Sequence, residues 1–559
     1  MPLDAPTLRG RARLLALTRA AAPTRAEFAA ALFSALLLVA AFPDFNLWPL
    51  AWVGLVPLLI TITRRPRAAQ SFILGWTTGT LFFYGSCWWL TYSMIYYGHL
   101  PAPVAFLLLV PGALILGLFP ALFALVVARL CARWGARTLF LAPLIWVALE
   151  WARLGVTGQL WNAIGYSQAY QPALIQTARW GGVYAISFLL VTTNAALAFV
   201  LLRRTARALL TSLLVVSIVA LIILLPVLLD ARRPRANSAA LTDATVVIAV
   251  QPNVPISFER APEETDALIA RHLSLSTAAL QEWNETQART GKAAIAQGTE
   301  PQLVRSSATR PRVVIWPESP MNFTYAEDEE FREWVGAFAR AQHTSVLFNS
   351  LEPAPAGGAY NSAVLVNEEG RLTAQYDKIR LLPFGEYVPL PRWFPGAWLL
   401  RGMVGDFTPG TKYPLMPLGD VRGGVFICFE SAFPSIARTF ARAGADVFVN
   451  ISNDGYLGRT PVLRQHLANA VFRAVENQRP VLRVTNTGIS ALITPRGEVL
   501  DATDSFAPAV RTWTVTRAID GQTFYTRHGD LFVACCAIMS ILFFVGGQWS
   551  VVRRTRYAS

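Results

Sequence analysis

Three apolar stretches end in residues that could do chemistry. Glu318 closes "VVIWPE", Lys378 closes "AQYDK", and Cys428 with Glu430 closes "VFICFE". A charge stranded at the end of a buried strand is costly, so these endings ask for partners. A carboxylate can take the proton of a thiol. An ammonium can stabilise the thiolate and, later, an oxyanion. Brought together, they would let a sulfur attack a carbonyl carbon and form a thioester. Residue by residue, a second reading stands beside this one. Glu318 with Lys378 also fits a structural ion pair. Cys428 alone fits a small apolar core residue as well as a nucleophile.

The other four cysteines, Cys87, Cys131, Cys535 and Cys536, lie in or beside long apolar runs. Cys428 therefore has no disulfide partner in its own region, although structural cysteines of oxidising compartments normally pair. No His or Cys stands at ligand spacing around it, so neither a metal nor another cofactor is expected. His466, in "LRQHLANAVFRAVENQRP", lies on a helical stretch and reads as a packing or capping residue. Asn453 and Asp454, in "SNDGYLG", read as a turn that bonds its own backbone.

The elements that would position these residues lie between 240 and 520. "TVVIAVQPN", "RVVIWPES", "SVLFNS", "GGVFICFE", "ADVFVNIS" and "PVLRVTN" read as buried strands, β-branched and nearly continuous. Two hairpins are signalled, turning at Glu369-Gly370 and at Arg496-Gly497. Polar helical segments fall between the strands, which predicts an α/β domain.

The rest of the chain is different. Of 559 residues, 53% are apolar and only 15% charged, below the roughly 25% charged of soluble domains. Eight apolar spans are expected, near 27–43, 47–63, 71–93, 103–128, 138–154, 178–202, 207–229 and 530–549. Glu150 sits inside the fifth and should face the bundle interior. Trp48, Trp88 and Trp89 read as interfacial anchors. The net charge of +14 is spread over short loops, not gathered in one patch, so nucleic-acid binding is not expected. Arginines follow spans two, four and six (Arg64 to Arg67; Arg129, Arg133 and Arg137; Arg203 to Arg207), and "RRTR" closes the chain. By the inside-positive rule both termini are cytoplasmic and 240–520 faces outward. "ARRPRANS", after span seven, is basic on the outer side and runs against that rule. The expected division is a basic N-terminus over 1–26, seven spans over 27–230, an outward catalytic domain over 240–520, an eighth span over 530–549 and a tail over 550–559.

"WPES", "YDKIRLLPFGEYVP" and "ICFES", in that order, resemble the carbon–nitrogen hydrolase (nitrilase) superfamily. The resemblance implies a four-layered α-β-β-α sandwich with Glu318, Lys378 and Cys428 as base, oxyanion stabiliser and nucleophile. "FPDFNLWPLAWVGLVPLL", "LIWVALEWAR", "LWNAIGYSQ", "LPFGEYVPL" and "NISNDGYLG" extend the likeness, from about 27 to 550, to the apolipoprotein N-acyltransferase family. That family moves an acyl chain from a phospholipid, through a cysteine thioester, to the N-terminal amine of a diacylglyceryl-cysteine apolipoprotein. Its members are multi-pass proteins of the bacterial inner membrane. By the same resemblance Glu386 and Glu430 are supporting glutamates. Phe429 stands where the family often has tyrosine. Phe258 is the only aromatic where the family can carry a loop tryptophan. Both phenylalanines would face substrate. A membrane-tethered amidase or hydrolase shares the first attack, but a tether needs one span, not eight.

Overall fold

The computed structural model describes residues 22–231, 244–257, 261–296, 310–318, 323–355, 357–389, 393, 405, 407–518 and 521–556. It divides into two compact units. One comprises 1–168, 181–227 and 530–559, and the other 169–180 and 228–529.

The first unit is helical. Among the described residues, four helices are long and apolar enough to cross a membrane: Ala102–Trp134, Ala136–Thr157, Ala178–Arg203 and Ala206–Leu229. Trp48–Arg64 and Leu531–Gly546 are shorter apolar helices. The segment expected as span two is a 3-10 turn, Trp48–Trp52, followed by the nine-residue helix Val56–Arg64. The third runs as Ala68–Ser86, breaks at Cys87 to Trp89, and resumes as Leu90–Tyr96. That break turns Trp89 inward. It is buried, with its ring 5.5 Å from Trp161, so it is not the interfacial anchor expected from its type. Ala68–Ser86 packs tightly on Ala102–Trp134, where a Cβ on Gly79 would lie 2.6 Å from Pro120. Small residues permit such approach between apolar helices. Glu150 is buried and accepts from the Trp146 indole at 2.9 Å and the Ile164 amide at 2.8 Å, so it faces inward as expected.

The second unit is built on two six-stranded sheets. The strands are β1 (Ala244–Gln251), β2 (Arg312–Ile315), β3 (Ser345–Pro353), β4 (Ala359–Val366), β5 (Leu372–Asp377), β6 (Leu415–Leu418), β7 (Val421–Ile427), β8 (Val447–Ser452), β9 (Val481–Thr485), β10 (Ala491–Ile493), β11 (Val499–Leu500) and β12 (Ala509–Thr516). The orders are β12-β1-β2-β3-β4-β5 and β11-β10-β9-β8-β7-β6. Each sheet has three parallel central strands, β1-β2-β3 or β7-β8-β9, with antiparallel neighbours outside them. Central strands buried on both faces need continuous apolar sequence, and β1 and β8 are buried along their whole length. Both expected hairpins are present, with Gly370 and Gly497 at positive φ in their turns. Helices cover the sheets. Glu329–Gln342 is capped by the Asp328 side chain and buries Phe331, Val335, Phe338 and Ala339 in the core of the first sheet. Pro434–Ala443 and Val462–Asn477 pack on the second sheet. This is a nitrilase-like layered fold.

Candidate functional site

Glu318, Lys378 and Cys428 all sit at the C-terminal ends of strands, where α/β folds place ligand sites. Glu318 follows β2 by three residues, Lys378 follows β5 directly, and Cys428 follows β7 directly. Lys378 is 1% exposed. Its Nζ lies 2.8 Å from Glu386 Oε1 and 3.4 Å from Glu318 Oε1. One ammonium thus serves two carboxylates. Burial would lower the Lys378 pKa, but Glu318 and Glu386 outweigh it and hold the group well above its ordinary value. Lys378 is therefore charged and committed.

Glu318 and Glu386 are further pinned. The Asn361 amide donates to Glu386 Oε1 at 2.7 Å and to Glu318 Oε1 at 3.0 Å. Asn349 in turn donates to Asn361 Oδ1 at 2.7 Å. The Asn453 backbone N–H reaches Glu318 Oε2 at 3.0 Å, and the Leu382 N–H reaches Glu386 Oε2 at 2.6 Å. Asn361 is absent from the expectations above. Its only trace in the sequence is a polar residue inside "YNSAVLV", a strand otherwise fit for a core.

Cys428 is partly buried at the start of a 3-10 turn, Cys428–Ala432, with φ of 51°. A non-glycine residue in the left-handed region is strained, and such strain gathers at functional sites. Burial, and then the Glu318 carboxylate, push the Cys428 thiol far above its ordinary value; Lys378 only partly offsets them. The sulfur therefore rests as a thiol, and any attack by it would need a base to take its proton.

Glu430 is fully buried and holds the turn in place. Its Oε2 accepts from the Ile427 N–H at 2.8 Å. Its Oε1 accepts from the Ile379 and Arg380 N–H groups at 2.8 and 3.0 Å. The Tyr376 hydroxyl lies 2.9 Å from both oxygens. Burial pushes the Glu430 carboxyl up to about 7 against the pull of these donors. This glutamate bonds the backbone on both sides of the site and touches neither the thiol nor the ammonium.

The remaining expected residues fall as follows. The Phe429 ring meets Phe433 at 5.3 Å, edge to face, and the Arg380 guanidinium lies over Phe433. Phe258 lies outside the described residues. Asn453 Oδ1 accepts from the Gly455 N–H, the local turn expected of it. Asp454 does something else. It meets His466, Arg483 and Ser452, and His466 reaches the backbone carbonyl of Cys428, not its thiol.

Comparison with known proteins follows this geometry. Residues 34–196 match the model of the apolipoprotein N-acyltransferase N-terminal domain, and residues 262–523 match that of carbon-nitrogen hydrolase. An apolipoprotein N-acyltransferase of Geobacter metallireducens is 34% identical over 92% of this chain and 93% of its own. One of Rhizobium meliloti is 29% identical over 89% and 93%. An apolar helical unit and a nitrilase-like unit are thus shared, in one order, along nearly the whole length of such relatives. This chain belongs to the apolipoprotein N-acyltransferase family.

Proposed function

We propose that this protein transfers a fatty acyl chain from a phospholipid to the N-terminal amine of a diacylglyceryl-cysteine apolipoprotein, in two steps through a thioester on Cys428. One observation carries the reading. A thiol in a strained turn lies in the field of Lys378 and Glu318, on a chain whose other unit is apolar helices.

In the first step Glu318 takes the thiol proton as the sulfur attacks the ester carbonyl. Lys378 stabilises the oxyanion of the tetrahedral intermediate. The intermediate collapses, and the lysophospholipid leaves with the proton returned by Glu318. In the second step the acceptor amine attacks the thioester and gives its proton to Glu318. The new amide departs and the thiol is restored. Glu386 and Asn361 hold Glu318 and Lys378 in register. Phe429 and Phe258 are the proposed contacts to substrate.

The test follows acyl label with and without acceptor. Phospholipid alone should acylate the wild type and release lysophospholipid. The isolated acyl-enzyme should then discharge to a diacylglyceryl-cysteine peptide much faster than to water, because a water-excluding site protects the thioester. Glu318→Gln should slow acylation by about 10²–10⁴, the usual worth of a general base. Rapid release of free fatty acid without transfer would replace the acyltransferase with a hydrolase.

We also propose that the second unit faces the periplasm, since the arginine clusters after spans two, four and six mark the cytoplasmic side. A reporter active only outside the cytoplasm should be active when fused near residue 400 and silent when fused at residue 205. The reverse pattern would invert the topology.

A further inference from the structure

The carbonyl of Cys428 is gripped from behind. His466, on the helix Val462–Asn477, is 3% exposed, and its Nε2 lies 2.9 Å from the Cys428 carbonyl oxygen. A carbonyl only accepts, so Nε2 carries a proton and donates. On the other side of the ring, Nδ1 lies 2.8 Å from Asp454 Oδ1. Burial raises the Asp454 carboxyl, but Arg483 and His466 outweigh it and hold it well below the usual carboxylate range. The ring is thus fixed at both nitrogens, by Asp454 on one side and by the Cys428 carbonyl on the other.

Arg483 Nη2 donates to Asp454 Oδ2 at 2.8 Å and lies 3.1 Å from Nδ1, so it braces both the carboxylate and the ring. The Ser452 hydroxyl donates to Asp454 Oδ1 at 3.0 Å. Asn450, bonded to Arg483 Nη1, places its own amide 3.4 Å from the Cys428 carbonyl. A Cβ on Gly488 would collide with Asp454 Oδ2, so the chain keeps room for this carboxylate.

These contacts matter because Cys428 has a positive φ. A residue with a Cβ leaves that region unless its neighbours hold it there. A planar peptide moves as one piece, so a carbonyl fixed at one point fixes the Cys428–Phe429 unit and the direction in which the thiol leaves the chain. We propose that His466, anchored by Asp454, is a positioning residue that clamps the Cys428 carbonyl and so keeps the thiol aimed at Glu318 and Lys378. It is not the base, because its Nε2 is already spent on the carbonyl. The inference rests on Cys428 being the acylated residue.

Two variants of the full-length protein separate the clamp from mere packing. In His466→Asn the shorter amide can sit where Nδ1 sits and meet Asp454, but it cannot reach Cys428. In His466→Gln the amide reaches the Nε2 position and donates to the carbonyl. Acylation of Cys428 is followed against phospholipid concentration, with thermal unfolding measured alongside. His466→Asn should acylate about 10²-fold slower at saturation, the cost of a small misplacement of a reacting group. Its half-saturating phospholipid concentration should be unchanged. His466→Gln should recover about tenfold of that loss, since the donor returns on a more flexible side chain. Equal rates in the two variants, or a His466→Asn rate equal to wild type, would overturn the clamp. So would rates that merely track the loss of thermal stability. If His466→Asn does not fold, His466→Gln is read alone, and a wild-type rate there overturns the proposal. Failure of both to fold leaves a packing role only and overturns it too. A wild type that labels while the variants match it condemns the clamp alone. A wild type with no more label than Cys428→Ala condemns the acylation reading, and the clamp with it.

Discussion

Cys428→Ala, incubated with labelled phospholipid, should take up no label and release no lysophospholipid. Removing a covalent nucleophile can cost on the order of 10⁶ in rate, so transfer to an acceptor amine should fall below detection. The fold should survive, because the turn is held by Glu430 and by the Cys428 backbone carbonyl, neither of which the substitution removes. Cys428→Ser is the sharper comparison. The thiol is already pushed far above its ordinary value by burial, and a hydroxyl in the same place is harder still to ionise. It should form little or no acyl-enzyme although its side chain has nearly the same shape. Intact-mass measurement after exposure to phospholipid reads both variants. An acyl adduct of undiminished yield in Cys428→Ala would move the nucleophile elsewhere and end the thioester mechanism at this residue.

Lys378→Met should lose both activity and stability, for separable reasons. The rate of acylation should fall about 10²–10³, the usual cost of one oxyanion donor. Stability should fall by about 3–5 kcal/mol, because Glu318 and Glu386 are left without their counter-charge in a buried site. The Lys378 pKa is raised on folding, so its contribution is fully present below the ordinary value of 10.5 and is lost only as pH rises through the still higher folded value. The penalty should therefore be much the same across neutral pH. Adding Glu386→Gln to Lys378→Met removes one of the two stranded charges. The double variant should regain part of the stability and none of the rate. Denaturant unfolding and acylation assays on the pair test this. Recovery of rate in the double variant would show that Lys378 acts only as a structural counter-ion.

Much of the site is local in sequence, and that part is readable. β-branched runs such as "TVVIAV" and "DVFVNIS" are strands because both faces are covered. The charged or thiol endings of β2, β5 and β7 stand out against them. Other features depend on what lies across a gap. β12 alternates exposed and buried residues, and β6 contains Pro417 at a sheet edge, so neither has the continuous apolar signal of a central strand. Asn361 takes its meaning from Glu318 and Glu386, 43 and 25 residues away. His466 reaches a carbonyl 38 residues earlier, and nothing in its helical surroundings reports that bond. The break at Cys87 to Trp89 is hidden for another reason. Hydropathy averaged over a span cannot distinguish a tryptophan at an interface from one turned inward.

Glu430 bonds the Ile427 amide at the end of one sheet and the Ile379 and Arg380 amides just past the end of the other. Cys428 and Lys378 are therefore brought into alignment by a strut that spans the two halves of the sandwich. Neither sheet by itself brings Lys378 and Cys428 together. A nascent chain that has made β1 to β5 already has Lys378 but no thiol, and the first six-stranded layer is itself completed only by β12, after every strand of the second. On the proposed mechanism, reactivity toward lipid would switch on only with the last closure of the domain, when β12 joins the first sheet.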